Sequence, residues 1–231
     1  MTPASLVLLP GLDGTGELFA PLLAELPPSI APIVVRYPVD RRLGYDALLS
    51  IARAALPVGR PFVLVGESFS GPLAIRLAAA HPVGLRALVL VASFHRRPVA
   101  PWIARLRPLL PLAFALPPPG AAVRHLLTGP GASASLIAAC AAAVGSVRPG
   151  VLAARVRDAL DVDVSDELAR VQVPVSYLAA SSDALLRRGG LDELRALVPR
   201  LEVHRFACAH LVLQRCPRES ARVLIELATR G

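Results

Sequence analysis

The chain alternates short apolar runs with stretches of helical spacing, and this pattern limits the folds open to it more than any other feature. The runs fall at 5–9, 32–37, 61–65, 85–92, 173–179 and 201–206. Runs dominated by apolar residues mark strands of a parallel sheet covered on both faces. Between them, residues 18–26 carry leucines on one side, and 45–56 place Leu48, Leu49, Ala52 and Ala55 on another. The last segment starts at Pro217 and sets Ala221, Leu224, Ile225 and Ala228 at i, i+3, i+4, i+7 spacing. The expected fold is therefore α/β: a mostly parallel sheet of about six strands flanked by helices.

The alternation breaks between 95 and 150, where Pro98, Pro101, Pro108, Pro111 and 117–119 punctuate an Ala-rich stretch. Residues 136–144 there fit a short apolar helix. Because strand-like runs resume afterwards, the segment reads as a helical cap inserted into one domain spanning 1–231.

Composition excludes several classes. The 231 residues are 54% hydrophobic and 18% charged, which suits a packed core and argues against disorder. The net charge of +8 suggests nucleic acid, but all 25 cations are scattered arginines without interleaved aromatics, so that function is not expected. Three cysteines without a CxxC give no zinc site and no disulfide framework. Cys208 and Cys216 flank His210 and read as loop packing rather than a pair. With no signal-peptide pattern and no long uncharged apolar stretch, the expectation is a cytoplasmic chain without a membrane span.

The run at 61–65 leads straight into Gly66-Glu67-Ser68-Phe69-Ser70-Gly71, and a helical segment follows with Pro72 in its first turn. Strand, sharp turn and helix form the setting of a nucleophile elbow, with Ser68 at its tip and small residues, Gly66 and Ser70, two positions to either side. A serine hydroxyl needs a base, and the base needs a group to orient it. In chain order Ser, acid, His, the loop after 173–179 supplies Asp183, and the loop after 201–206 supplies His210. All three fall at the carboxyl edge of the sheet, where open α/β sheets bind ligands. His81, His125 and His204 lie at a helix end, in the cap and within a strand, and His95, which follows the fourth strand, reads as a surface residue ahead of one lining the site mouth. Asp161, Asp163 and Asp166 precede a strand, at the wrong edge. Two amides are placed to receive an oxyanion: Phe69, just after the nucleophile, and Leu12, in the Gly-rich turn at 11–16. The glycines of that turn match neither a dinucleotide nor a P-loop pattern.

The segments 9–16, 66–71, 182–183 and 209–210 together resemble a compact α/β hydrolase, in order over essentially the whole chain. Within that superfamily they resemble small carboxylesterases of the type that includes pimeloyl-carrier-protein methyl ester esterase. Pro10 in place of the histidine of many relatives, and Ser70 in place of glycine, depart from the pattern. The resemblance implies acyl transfer from a small-molecule ester to water through an acyl-enzyme, with no metal or organic cofactor. Two rivals stand beside it. One is a thioesterase or acyltransferase acting on coenzyme A or acyl-carrier-protein substrates, an acidic partner that Arg96, Arg97, Arg105, Arg107 and Arg124 of the cap could meet. The other is a non-catalytic binding protein on the same fold. Leu109, Leu110, Leu112, Phe114, Leu116, Leu136 and Ile137 are the expected lining of an acyl pocket.

Overall fold

The computed structural model describes residues 4–99 and 119–230, together with positions 105, 108, 110, 114 and 115. Six strands form one parallel sheet in the order β2-β1-β3-β4-β5-β6: β1 Ser5–Leu9, β2 Pro32–Val34, β3 Phe62–Glu67, β4 Leu85–Val91, β5 Val175–Ala180 and β6 Glu202–Phe206. Every pairing is parallel. The two-residue repeat of a strand sends alternate side chains to opposite faces. Val7, Leu9, Leu64, Leu88 and Leu90 therefore join one core, while Leu6, Leu8, Val63, Val65 and Val89 join the other.

The helices close both faces. In chain order they are α1 Ala20–Leu23, α2 Tyr45–Ala54, α3 Gly71–Ala79, α4 Gly120–Val123, α5 Ala134–Gly145, α6 Pro149–Asp161, α7 Ser165–Ala169, α8 Gly190–Leu197, α9 Val212–Arg215 and α10 Pro217–Thr229. Leu48 of α2 and Leu73, Ile75 and Leu77 of α3 pack on the first core, and Leu224 and Leu227 of α10 on the second. Among the described residues no single helix is long and apolar enough to cross a membrane.

Several boundaries differ from the sequence reading. β5 starts after Pro174, which has no N–H to give the ladder and contributes only its carbonyl, to Leu88 N–H at 3.0 Å. β2 stops at Val34 instead of 37: Tyr37 donates its N–H to Gly14 O at 2.8 Å, turning the chain inward so that the ring is buried. The cap boundary expected at Gly150 falls in the first turn of α6. The apolar helix expected at 136–144 is α5, one or two residues longer at each end. Arg107, Leu109, Leu112 and Leu116 lie outside the described residues.

Strand order places the site. The chain leaves β1 toward β2 on one side and returns to β3 on the other, so the carboxyl ends of β1 and β3 part above a crevice. Register sets Leu9 beside Gly66, and the turn after β1 therefore opposes the turn after β3.

Candidate active site

Ser68 sits where β3 becomes α3, with φ of 47°, a left-handed conformation uncommon for any residue but glycine. Such strain persists only where the surroundings impose it. Close packing does so here. A Cβ at Gly66 would lie 2.7 Å from Ala74 Cβ, and one at Gly71 would lie 1.8 Å from Ser93 Oγ. Gly71 is thus a further position of the turn that must stay small, beside Gly66 and the fully buried Ser70. Ser70 turns its hydroxyl inward and donates to the Pro10 carbonyl.

All three tyrosines of the chain brace this turn. Tyr37 donates to Ser70 Oγ at 2.9 Å, and Tyr45 donates to the Phe69 carbonyl at 2.9 Å while stacking on its ring. Tyr177 donates to the Ser93 carbonyl at 2.8 Å and accepts from the Ser93 N–H at 3.0 Å. Ser93 in turn donates its hydroxyl to Ser68 O at 2.6 Å. Burial pushes all three phenols upward, so they stay protonated donors.

The fold brings Ser68, His210 and Asp183 together. His210 is buried, with Nε2 2.8 Å from Ser68 Oγ and Nδ1 2.8 Å from Asp183 Oδ2. An ionised Asp183 accepts from Nδ1–H, which leaves Nε2 free to accept from the serine hydroxyl. Burial works to raise the Asp183 carboxyl. The hydrogen bond and charge of His210, with the N–H groups of Leu186 and Leu185, outweigh it, and the net shift is downward. Those amides meet Asp183 Oδ1 at 3.0 and 2.9 Å. The aspartate is thereby held charged and fixed at once.

The N–H groups of Leu12 and Phe69 lie in the two facing turns, one after β1 and one after β3. The turn bearing Leu12 is nailed down by a residue the sequence reading did not single out. Arg155 of α6 is buried, and donates to Leu12 O and Asp13 O at 2.8 Å each and to Pro38 O at 2.9 Å. Burial lowers the guanidinium, and the three carbonyls with the nearby charge of Asp13 offset part of that cost. A signal was present: Arg155 falls on the same helical face as Val151 and Ala159, where a charge must find partners.

Above Ser68 and His210 opens an apolar cavity of about 220 Å³, walled by Leu12, Leu18, Phe69, Phe94, Leu127, Cys140, Val144, Leu160, Leu185, Leu186 and Leu211 among others. Leu136 and Ile137 do not reach it; they seal α5 against Val123 and Leu211, while Cys140 and Val144 further along α5 form the wall. Phe114 is not among the wall residues; it packs on the cluster of Val147 and Val151, which Leu12 and Val144 of the wall also join. A larger hollow of about 630 Å³ lies behind the Asp183 turn, among Arg96, Arg97, Arg187, Arg188 and Arg205, and does not reach Ser68. His95 is not a surface residue: it is buried in the wall of that hollow, because Val164 N–H bonds its carbonyl and Arg96 bridges to Asp163. Arg96 is paired with Glu193, Arg97 donates to Leu160 O, and Arg105 and Arg124 are exposed. Cys208 and Cys216 are free thiols.

Glu67, beside Ser68, is buried. Burial, with the charge of Asp13, raises its carboxyl to about 7 against the lowering effects of Gln214, His210 and the Gly11 N–H. The folded protein holds this proton more tightly than the unfolded chain does. Between about 4.5 and about 7 the group's contribution to stability is therefore lost as pH rises, on the order of 3 kcal/mol in all. In Glu67→Gln that loss disappears. Urea midpoints measured at pH 5 and pH 8 should fall further in the wild type than in the variant; parallel falls would contradict the shift.

These features define a hydrolase fold carrying a serine, histidine and aspartate in contact. A model of the alpha/beta hydrolase family matches residues 6–223, and the chain belongs to that family. Over 122 residues, 49% of this chain, it is 33% identical to phytyl ester synthase 1, chloroplastic, from Arabidopsis thaliana, and spans only 16% of that relative's length. Among solved structures it is similar to the enol-lactonase from Burkholderia xenovorans LB400, with a TM-score of 0.81 at 16% identity over 100% of this chain and 93% of the other. It is also similar to a lipase-esterase related protein from Clostridium acetobutylicum ATCC 824, with a TM-score of 0.78 at 13% identity over 98% and 95%. At such identities the likeness is one of fold.

Proposed function

We propose that the chain is a serine hydrolase of carboxylic esters with short to medium acyl groups. The observation that carries this reading is the pair of 2.8 Å contacts linking Asp183, His210 and a strained Ser68 beneath an apolar cavity. Ser68 Oγ attacks the ester carbonyl as His210 Nε2 takes its proton. Asp183 keeps the second ring proton on Nδ1 and stabilises the imidazolium. The Leu12 and Phe69 amides receive the oxyanion. The imidazolium then protonates the leaving alkoxide, and the neutral ring draws a proton from water to release the acid. A fluorophosphonate that labels Ser68 separates this reading from a non-catalytic binding protein; absence of labelling would overturn it.

The cavity sets the acyl preference. At about 220 Å³ it is smaller than a typical drug-sized pocket of roughly 300–1,000 Å³. Each buried methylene contributes about 0.8 kcal/mol, or roughly fourfold in kcat/KM, until the pocket is full. Across p-nitrophenyl esters from acetate to palmitate, kcat/KM is expected to climb over the short chains and then level or fall. A maximum at palmitate with activation at a lipid–water interface would point to a lipase instead. The compact cavity also suits the motif resemblance to small carboxylesterases such as the pimeloyl-carrier-protein methyl ester type.

The match to phytyl ester synthase favours a second outcome for the same acyl-enzyme, transfer to an alcohol. Adding an aliphatic alcohol and measuring new ester against free acid distinguishes the two.

A further inference from the structure

We propose that Glu67 is a positioning residue, whose buried carboxyl ties the oxyanion turn and the base-bearing loop to the end of the nucleophile strand. The proposal rests on the reading of Ser68, His210 and Leu12 given above. Glu67 is the last residue of β3, immediately before the serine. Strand alternation puts its side chain on the face of Val63 and Val65, toward α9. There Gln214 Nε2 donates to Glu67 Oε1 at 2.9 Å. Gln214 follows His210 by four positions, so this bond fastens the histidine loop. The other carboxyl oxygen packs against Gly11, where a Cβ would lie 3.8 Å from Glu67 Oε2, and Gly11 immediately precedes Leu12. One side chain thus spans three chain segments that meet at the reacting atoms.

A plain wall residue would not be built this way. An apolar side chain could fill the floor of an apolar cavity, and a buried carboxyl costs free energy that its donors only partly offset. What the carboxyl adds is connection. The distances between nucleophile, base and oxyanion donors must hold closely, since a misplacement of about 1 Å costs about a hundredfold in rate. A loosened tie should therefore appear in kcat and leave KM, set by the apolar walls, in place. Charge is not what the tie requires. Glutamine at 67 keeps an acceptor oxygen, and its amide can donate to Gln214 Oε1, which is buried without a partner.

The test begins with fluorophosphonate labelling of Ser68 in the wild type. Without it, the functional reading and this proposal fall together. With labelling in hand, steady-state kinetics on one p-nitrophenyl ester compare Glu67→Gln, Glu67→Leu and Gln214→Leu. The expected result is a kcat within about threefold of wild type for E67Q, and a loss of about tenfold to a hundredfold for E67L and Q214L with little change in KM. Should E67L not fold, Q214L breaks the same tie from the other side. Wild-type kcat in E67L and Q214L, or a change confined to KM, would overturn the proposal. So would an E67Q rate as low as that of E67L, because the carboxyl would then act by charge.

Discussion

Replacing Ser68 by alanine should lower kcat/KM by at least about a thousandfold while leaving the fold in place. The residual rate would come from binding and from the Leu12 and Phe69 amides, which the substitution leaves untouched. The fold should tolerate it because the strained backbone at Ser68 is held by its neighbours. The Ser68 carbonyl accepts from Ser93, and Gly66 and Gly71 permit the close approach of α3. Among the described residues the serine hydroxyl hydrogen-bonds only to His210 Nε2. Losing that one hydrogen bond costs about 1 kcal/mol, a shift of roughly 2–4 °C in Tm for a chain of this length. Ester hydrolysis and thermal unfolding, measured on the same preparation, separate the two effects. A variant that keeps substantial activity at unchanged stability would place the nucleophile elsewhere.

The strands were legible because a parallel sheet buried on both faces leaves nearly unbroken apolar runs, and only their ends moved. At β5 the end was set by the missing N–H of Pro174, and at β2 by Tyr37 turning into the core. The three side chains that meet at Ser68 were legible because each follows the carboxyl end of a strand in a fixed chain order. Their supports were not. Arg155 reaches Leu12 across 143 positions, and Gln214 reaches Glu67 across 147. Helical spacing marks Arg155 as a buried charge, but no local pattern announces which distant partner either residue meets. Tyr37, Tyr45 and Tyr177 share no spacing with the elbow they brace, and each occupies an ordinary core position. His95 was misplaced for the same reason: its burial depends on Val164 and Asp163, far along the chain from the strand it follows.

Asp183→Asn is the second substitution expected to remove most of the activity, and its effect follows from the tautomer. The two oxygens of Asp183 have separate tasks: Oδ1 accepts the Leu185 and Leu186 amides, and Oδ2 accepts from His210 Nδ1. In asparagine the carbonyl oxygen can keep the two amides, so the turn should survive. The remaining group is then an NH₂, which donates to Nδ1 and forces the ring proton onto Nε2. An N–H would face Ser68 Oγ where a lone pair is needed, and the hydroxyl could no longer give up its proton. The developing imidazolium would also lose its counter-charge. The same exchange in a serine protease lowers kcat by about ten-thousandfold, and a loss of about a thousandfold or more is expected here. Asp163→Asn is the control. Asp163 accepts from the Ser165 N–H and hydroxyl at the start of α7, so asparagine can keep the cap and the rate should change by less than about threefold. Steady-state kinetics on the two variants decide the matter, and a reversed ranking would put the acid outside the Asp183 turn.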